Sequence, residues 1–307
     1  MTRNHIGVDL SKDWLDIYDP RSGGARIANT DRAITTFLGA LGAQDMLVFE
    51  ATSLCDQRIV QLASAAGQPF HRLNPLHGWH FARSLNLPKT DRVDARMLAR
   101  MGAERRLAPS PAHDAVRAEL AELNGRRDQL KRMETQEKNR LHKAACASIR
   151  ADIRAMLRVL AGRIARAEAR IEAFLATHPD LCAQADLLQT IPGIGRVTAV
   201  TLLGAMPEIG HCDRRQVAAL AGLAPRARES GRWVGRRYTG QGRRHVRRAL
   251  YMAALSAMRQ PGSFAGLVEA LRARGKPGKL IAIAVARKLI TVANAILRDQ
   301  TPFQTAR

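Results

Sequence analysis

The chain is poor in cysteine and has no long uninterrupted apolar run. Its four cysteines, Cys55, Cys146, Cys182 and Cys212, include no C-x-x-C pair. The sequence therefore predicts neither a zinc site nor a disulfide framework, and we expect reduced thiols in the core. No apolar stretch reaches the ~18 residues that a membrane span needs, and the chain starts with a polar run rather than a basic, apolar leader. We expect a cytoplasmic protein that does not contact a membrane.

Acidic residues are scarce relative to basic ones. The 307 residues include 27 Asp and Glu against 49 Lys and Arg, a formal net charge of +22. Much of the excess is arginine, whose planar guanidinium suits bidentate contact with phosphate. This charge predicts a polyanionic partner, nucleic acid first of all. With 46% hydrophobic residues, the chain is long enough to bury the cores of one large or two modest globular domains.

The first hundred residues alternate short strand-like runs with helical ones. The patterns predict five strands, at His5–Leu10, Trp14–Asp19, Ala25–Ala28, Met46–Glu50 and Phe70–Leu73. They predict four helices, at Thr30–Leu41, Cys55–Ala66, His77–Leu85 and Asp91–Gly102. Three strands followed by alternating helices and strands match a ribonuclease-H-like layout, although other α/β folds also fit. We expect an α/β domain over residues 1–108.

A charged, glycine-poor segment over residues 112–178 follows the proline-containing linker Ala108–Pro111. Its second half has a heptad seam, formed by Ile153, Leu157, Leu160, Ile164, Ala167, Ile171 and Phe174. Its first half, Val116–Leu141, has a less regular seam, so that a hairpin of two helices or one long helix would fit. The pattern predicts a coiled coil that brings copies of the chain together. An amphipathic helix packed on its own domain is the alternative.

The region over residues 180–300 is mostly helical, with one interruption rich in Gly and Arg. Leu187–Gly195 followed by the apolar Val197–Leu203 is typical of a helix-hairpin-helix element. There Gly193 and Gly195 would let backbone N–H groups approach a DNA phosphate, although a simple turn between packed helices is the alternative. Leu280–Leu297 is apolar around most of a helix, so we expect this helix to be buried.

Four acids occupy positions from which carboxylates can converge. Asp9 and Glu50 end two predicted strands, and Asp91 and Asp94 are three residues apart on one helical face. Two Mg²⁺ ions about 4 Å apart, clamping a phosphodiester, need several hard oxygen ligands of this kind. Taken singly, each acid could instead cap a helix or begin a turn.

These motifs together resemble a known family, the DEDD transposases, which include pilin-gene-inverting recombinases and bridge-RNA-guided insertion-sequence recombinases. In the first half the resemblance rests on Gly7–Lys12 (GVDLSK), Phe49–Thr52 (FEAT) and the long motif Leu73–Ala99, which contains KTDRVDA. In the second half it rests on Gln189–Gly195 (QTIPGIG), Leu220–Pro225 (LAGLAP), Glu229–Arg232 (ESGR) and Arg243–Leu250. The correspondence runs across nearly the whole chain.

The resemblance implies a RuvC-like nuclease fold whose DEDD set is Asp9, Glu50, Asp91 and Asp94, with Mg²⁺ as cofactor in a two-ion site. It implies that Ser230 is the nucleophile and forms a transient phosphoserine link to DNA. It further implies donor and target DNA duplexes as substrates and a noncoding bridge RNA as guide. It also implies a dimer or tetramer that is associated with the nucleoid. Nucleic-acid contacts are expected from Lys89, Gly193, Gly195, Arg226, Arg228, Arg232, Arg236, Arg237, Arg243 and Arg244.

Four other hypotheses stay open from the residues alone. Tyr238, beside Arg236 and Arg237, could be the nucleophile as in tyrosine recombinases, although those lack a DEDD half. A metal-dependent junction nuclease would use the acids and not Ser230. A non-enzymatic DNA-binding protein would tolerate loss of Asp9 or Asp94. A sugar-kinase-like ATPase is suggested by the opening strand, but the expected phosphate-binding glycine motifs are absent.

Overall fold

A computed structural model describes residues 3–52, 55–85, 91–225, 229–230, 233–235, 238–260 and 262–304. The chain divides into two compact units, Met1–Ala115 and Val116–Arg307. The first is an α/β unit and the second is almost entirely helical, which agrees with the α/β plus mostly α class expected from the sequence.

The first unit contains a five-stranded mixed sheet in the order β3-β2-β1-β4-β5. Strands β1 to β3 form an antiparallel meander, whereas β4 pairs parallel to β1 and β5 parallel to β4. All five predicted strands are present, with bounds β1 Asn4–Leu10, β2 Trp14–Asp19, β3 Gly23–Ala28, β4 Asp45–Glu50 and β5 Phe70–Leu73. The four predicted helices are α1 Asp31–Gly39, α2 Gln57–Ala65, α3 Pro75–Ser84 and α4 Asp91–Arg105. This layout is consistent with a RuvC-like fold.

The strand residues alternate between two packed faces of the sheet. On one face, Ile6, Val8 and Ile17 join a core that α1 and α2 complete through Ile34 and Ile59. On the other face, Met46, Val48 and Leu73 pack against Phe81 of α3 and against Met97, Leu98 and Met101 of α4. Every second residue of the central strands β1 and β4 therefore points toward α3 and α4.

Helix α4 lies directly on the backbone of β1 at Gly7. A Cβ atom at Gly7 would lie 1.8 Å from the carbonyl oxygen of Ala95 and 2.7 Å from the nitrogen of Ala99. Only glycine leaves room for this approach. The contact fixes the start of α4 above the carboxyl end of β1.

The linker predicted at Ala108–Pro111 lies along the outer edge of β5. Ser110 donates its backbone N–H to the Phe70 oxygen at 2.7 Å, and its hydroxyl accepts from the Arg72 nitrogen at 2.9 Å. The segment thus satisfies backbone groups that an edge strand would otherwise leave unpaired.

The second unit begins with an antiparallel hairpin of two long helices, α5 Ala115–Lys143 and α6 Ala147–Ala176. The structure thus has the hairpin, one of the two arrangements that fit the sequence. Much of the predicted seam is buried within the chain, since Leu160 and Ile164 pack against Leu130 of α5. Its pairing with a second copy stays a prediction.

The remaining helices of the second unit share one core. They are α7 Pro179–Gln189, α8 Arg196–Ala205, α9 Arg214–Leu220, α10 Arg244–Ala257, α11 Ala265–Ala273 and α12 Gly278–Asp299. Helix α12 is long and apolar enough to cross a membrane by length and composition, but 56% of its apolar window is buried inside the unit. Val285, Leu289 and Ile290 are fully buried. The predicted burial of this helix is confirmed.

The four cysteines carry no disulfide among the described residues. The expectation that all of them are core thiols is wrong for Cys146, which is exposed. It precedes the first turn of α6, at the tip of the hairpin, where no core is available.

Candidate active site on the sheet of the first unit

Asp9 and Glu50 lie near the carboxyl ends of two neighbouring parallel strands. The register pairs Gly7 of β1 with Val48 of β4, and each acid follows two residues further along its strand. Because strand side chains alternate with period two, Asp9 shares the face of Gly7 and Glu50 the face of Val48, the face covered by α3 and α4. Both side chains are partly buried.

The carboxylate of Glu50 lies over a glycine of α3. A Cβ atom at Gly78 would lie 2.0 Å from Oε1 of Glu50 and 3.1 Å from its Cδ. Helix α3 starts with Pro75 at its first turn and with Asn74 as N-cap, whose side chain accepts from the Leu76 nitrogen at 3.0 Å. The capped helix thus presents an open position under the Glu50 carboxylate.

Helix α4 carries the other two acids of the predicted set. Asp91 is its first residue, and Asp94 immediately precedes Ala95, whose carbonyl contacts Gly7. Asp94 is partly buried, while the side chain of Asp91 lies outside the described part. The helix therefore brings Asp94 to the same face of the sheet as Asp9 and Glu50.

The chemistry of this donor set fits a divalent metal. Carboxylate oxygens are the ligands that Mg²⁺ prefers, and Asp9, Glu50 and Asp94 share one face. The open position at Gly78 leaves space for the oxygens of Glu50. Among the described side chains, no three His, Cys, Asp or Glu groups form a complete metal-binding cluster. Asp91, which begins the same helix, would supply the fourth carboxylate.

A further acid that the sequence reading missed lies beside Asp9. In the antiparallel register Asp9 pairs with Asp16 of β2, and Asp16 pairs with Arg26 of β3. Arg26 donates Nε to Oδ1 of Asp16 at 2.9 Å and Nη2 to Oδ2 at 2.8 Å. The alternation of β2 places Asp16 on the polar side of a strand, but its position beside Asp9 follows only once the hairpin register is known.

Ser230 belongs to a small hairpin rather than an open loop. Its strand β6 (Glu229–Ser230) pairs antiparallel with β7 (Trp233–Val234), and Ser230 is opposite Trp233. The side chain of Ser230 is outside the described part, as are Lys89 and five of the predicted phosphate-binding arginines, Arg226, Arg228, Arg232, Arg236 and Arg237. The competing nucleophile Tyr238 is 44% exposed.

Of the two remaining arginines predicted to bind phosphate, Arg243 has an internal partner and Arg244 is exposed. Arg243 donates Nη1 and Nη2 to the two carboxylate oxygens of Glu208, at 2.7 and 2.6 Å. Burial acts to raise the pKa of Glu208, but the hydrogen bonds and the positive charge of Arg243, together with a backbone hydrogen bond, outweigh it and hold the pKa below its usual value. Arg243 thus connects the start of α10 to the segment after α8, whereas Arg244 is the first residue of α10.

The predicted helix-hairpin-helix segment consists of α7, a tight turn and α8. Gly193 has φ +89°, and a Cβ atom there would lie 2.5 Å from the Ala253 oxygen of α10, so this glycine is required by packing. Gly195 is the N-cap of α8 and has open space around it. Arg196, next in the chain, binds the exposed carboxylates of Glu172 and Asp186 at 2.7 and 2.9 Å. Phosphate binding at this turn stays a prediction.

Two family models match the chain. A model of DEDD transposases of the IS110 type, described as a transposase, matches residues 6–145. A second, described as the transposase IS116/IS110/IS902 family, matches residues 185–268. The first match contains Asp9, Glu50, Asp91 and Asp94, and the second contains Ser230.

The chain is also similar to curated proteins along its length. It is 28% identical to a pilin gene-inverting protein of Moraxella bovis over 99% of this chain and 98% of that protein. A pilin gene-inverting protein of Moraxella lacunata matches with the same identity and coverage. An insertion element IS110 protein of Streptomyces coelicolor is 32% identical over 45% of this chain and 34% of its own length.

Proposed function

The chain belongs to the DEDD transposases of the IS110 type, which makes it a DNA recombinase, and from this premise we propose that it cuts and rejoins DNA through a phosphoserine intermediate. The observation that supports metal-dependent cutting most strongly is the shared face of Asp9, Glu50 and Asp94, whereas the role of Ser230 is proposed from the family resemblance. That face is built by two close contacts, α4 on Gly7 and Glu50 over Gly78.

In this proposal the acids are ligands of Mg²⁺. Asp9, Glu50, Asp91 and Asp94 would hold two ions, which when bound stabilise the charge that develops on the phosphodiester oxygens. The rigidity of the sheet keeps Asp9 and Glu50 at a fixed spacing, and the Gly7 contact fixes Asp94 relative to them. Such preorganised ligands do not have to reorient when the phosphate becomes pentacovalent.

Ser230 is the proposed nucleophile. Its Oγ forms a bond to phosphorus while the bond from phosphorus to one strand oxygen breaks, so the proton lost by Oγ is balanced by the one gained at the leaving hydroxyl. The phosphoserine ester conserves the bond energy. A strand hydroxyl of the second duplex then attacks phosphorus and releases Ser230, which completes the exchange without an external energy source. Arg226, Arg228 and Arg232 of the same segment are proposed to neutralise the phosphate.

The partners follow from the same family and from the charge. Donor and target duplexes are the substrates, and we propose that a noncoding RNA from the element guides their choice. Exchange of strands between two duplexes requires several active sites, so we propose a dimer or tetramer joined through the α5–α6 hairpin. The net charge of +22 suits work on the nucleoid in the cytoplasm.

The metal role is tested by strand cleavage with and without Mg²⁺, using labelled duplexes of the element ends and RNA transcribed from the element. Asp9→Asn and Asp94→Asn should lower cleavage at least a hundredfold, because each removes a charged ligand. Asp13→Asn, an exposed position in the turn after β1, removes the same charge nearby and should cleave like wild type. Equal activity of Asp9→Asn and Asp13→Asn would refute the assignment.

A further inference from the structure

A groove lies beside Asp9 on the face of the sheet that carries the acids. It has a volume of about 470 Å³ and runs between the β2–β3 hairpin and α4. Tyr18, Gly24 and Arg26 line one side, and Ala95 and Arg96 line the other. Ala95 follows Asp94 in sequence, so one end of the groove adjoins the acidic face.

The arginine of the hairpin is held in a fixed orientation by a buried acid. The carboxylate of Asp16 is 10% exposed, whereas the side chain of Arg26 that it binds through two hydrogen bonds is 52% exposed. Burying an acid in such an ion pair adds little to the stability of the fold, because a protein with apolar residues in place of the pair is often equally stable. The arrangement does hold a guanidinium rigidly at the rim of the groove, which lowers the entropy lost when it binds an anion.

Aromatic rings accompany the arginines along this face. Tyr18 lies under Arg96, whose Cζ is 5.4 Å from the ring centroid. Trp14, on the same face of β2 as Asp16 and Tyr18, is 50% exposed. The chain has only three Trp and three Tyr, so a Trp and a Tyr on one strand face beside the acids are a marked concentration. Alternating rings and guanidinium groups are what single-stranded nucleic acid binds, through base stacking and phosphate contacts.

We propose that this groove holds the single strand of DNA that leads to the phosphate being cut. Within the groove Arg26 and Arg96 bind its phosphates and Tyr18 stacks on a base. Trp14, on the same face of β2 but outside the groove lining, stacks on a neighbouring base. Asp16 is a positioning residue that acts through Arg26. The small side chains of Gly24 and Ala95 leave the floor open for the backbone. The identification of the strand as substrate DNA rests on the proposed recombinase function, whereas the groove itself does not.

Binding to a 20-nucleotide oligothymidine, measured by fluorescence anisotropy without Mg²⁺, tests the phosphate contacts. Arg26→Gln and Arg96→Gln should each weaken binding about tenfold and reduce the salt dependence of log K by about 0.7. Arg26→Lys should bind more tightly than Arg26→Gln but more weakly than wild type, because lysine keeps the positive charge but lacks the planar guanidinium that Asp16 holds. Asp16→Asn should weaken binding although it removes a negative charge.

Arg21→Gln is the matched control. Arg21 is also held by acids of this unit, Asp19 and Asp45, each at 2.9 Å, but it does not line the groove. Its loss should change affinity less than twofold at equal folded content by circular dichroism. Equal weakening by Arg21→Gln and Arg26→Gln would mean that only net charge matters, and would overturn the proposal.

Photo-crosslinking locates the strand directly. Oligothymidine with one 5-iodouracil should crosslink to Trp14 or Tyr18, as mapped by mass spectrometry, and crosslinks only elsewhere would overturn the proposal. The same probe made as RNA should compete poorly; if RNA alone crosslinks there, the groove is not a DNA site. Crosslinks at Trp14 in a protein that does not cleave DNA would refute the recombination chemistry, while the proposal that the groove binds a single strand would stand. Normal DNA cleavage and normal oligothymidine binding by Arg26→Gln would refute the groove as a strand-binding site and leave the recombination chemistry standing.

Discussion

Replacing Gly7 by alanine tests how the first unit holds its acids. The new Cβ would lie 1.8 Å from the Ala95 oxygen, whereas real Cβ atoms stay beyond about 3.0 Å, so the two must separate by about 1.2 Å. Both partners are backbone, of β1 and of α4, and neither can relieve the clash by changing a rotamer. Helix α4 must therefore lift away from the sheet and take Asp94 with it.

The magnitude follows from the size of that shift. Overpacking of this kind costs about 1–3 kcal/mol, and a backbone clash belongs at the upper end. For a unit of this size that corresponds to a fall in Tm of roughly 10–15 °C. A displacement of about 1 Å at a catalytic ligand costs on the order of 100-fold in rate. Both effects should appear together in Gly7→Ala.

The assay combines thermal unfolding, followed by circular dichroism, with Mg²⁺-dependent strand cleavage at a temperature where the variant is folded. Gly39→Ala, the last residue of α1, has no atom within 4 Å of its new Cβ; it should leave cleavage unchanged and Tm unchanged or slightly higher, because alanine favours the helix. A Gly7→Ala protein that unfolds and cleaves like Gly39→Ala would refute the claim that the contact of α4 with β1 positions Asp94.

Three other predictions concern Gly78 and the Arg243–Glu208 pair. Gly78→Ala displaces the flexible end of Glu50, 2.0 Å away, and makes a tight contact of 3.3 Å with Cδ2 of Leu73. Alanine favours the helix by roughly 1 kcal/mol, so cleavage should fall at least tenfold while Tm is unchanged or higher. A lower Tm with normal cleavage would contradict this. Arg243→Gln leaves the partly buried Glu208 without its partner and should lower the free energy of unfolding in urea by about 1–3 kcal/mol. Arg244→Gln, at an exposed position, should lower it by less than about 0.5 kcal/mol. Equal losses in the two variants would refute a structural role for Arg243. Arg243 lowers the pKa of Glu208 in the folded state, so the stabilisation by this ion pair is complete above the usual pKa of 4.5 and is lost as pH falls through the lower folded pKa. The Tm difference between wild type and Arg243→Gln should therefore narrow below about pH 4.5. A Tm difference that stays constant with pH would count against this linkage.

The sheet of the first unit could be predicted because its patterning is local. Alternating apolar residues in β1 and β2 and the short buried run of β4 identify the strands, and turn residues separate them. The acids at the ends of β1 and β4 then follow, since the carboxyl ends of adjacent parallel strands meet at one edge. The ends of the helices differ by a few residues from the prediction, because capping by Asn74 and Thr30 decides them.

What could not be predicted depends on register and on contacts between distant segments. Asp16 reads as an ordinary polar residue of an amphipathic strand until the hairpin register places it opposite Asp9 and Arg26. Arg243 belongs to a run of arginines in sequence, and only the fold pairs it with Glu208, 35 residues away. Gly193 of QTIPGIG, from which a phosphate site is predicted, also leaves room for α10, a packing role that only the fold shows. For Arg243 and Gly193 the sequence suggests contact with nucleic acid, and only the fold shows which residues of the chain they pack against.

In the proposed function the acids of the first unit and Ser230 serve one covalent recombination reaction. It is tested most directly by incubating the protein, Mg²⁺ and element RNA with labelled donor and target duplexes and resolving protein-linked DNA on a denaturing gel. We expect an adduct in wild type and Tyr238→Phe that is absent in Ser230→Ala and Asp94→Ala. Cleavage without an adduct, unaffected by Ser230→Ala, would contradict it and leave a metal-dependent nuclease.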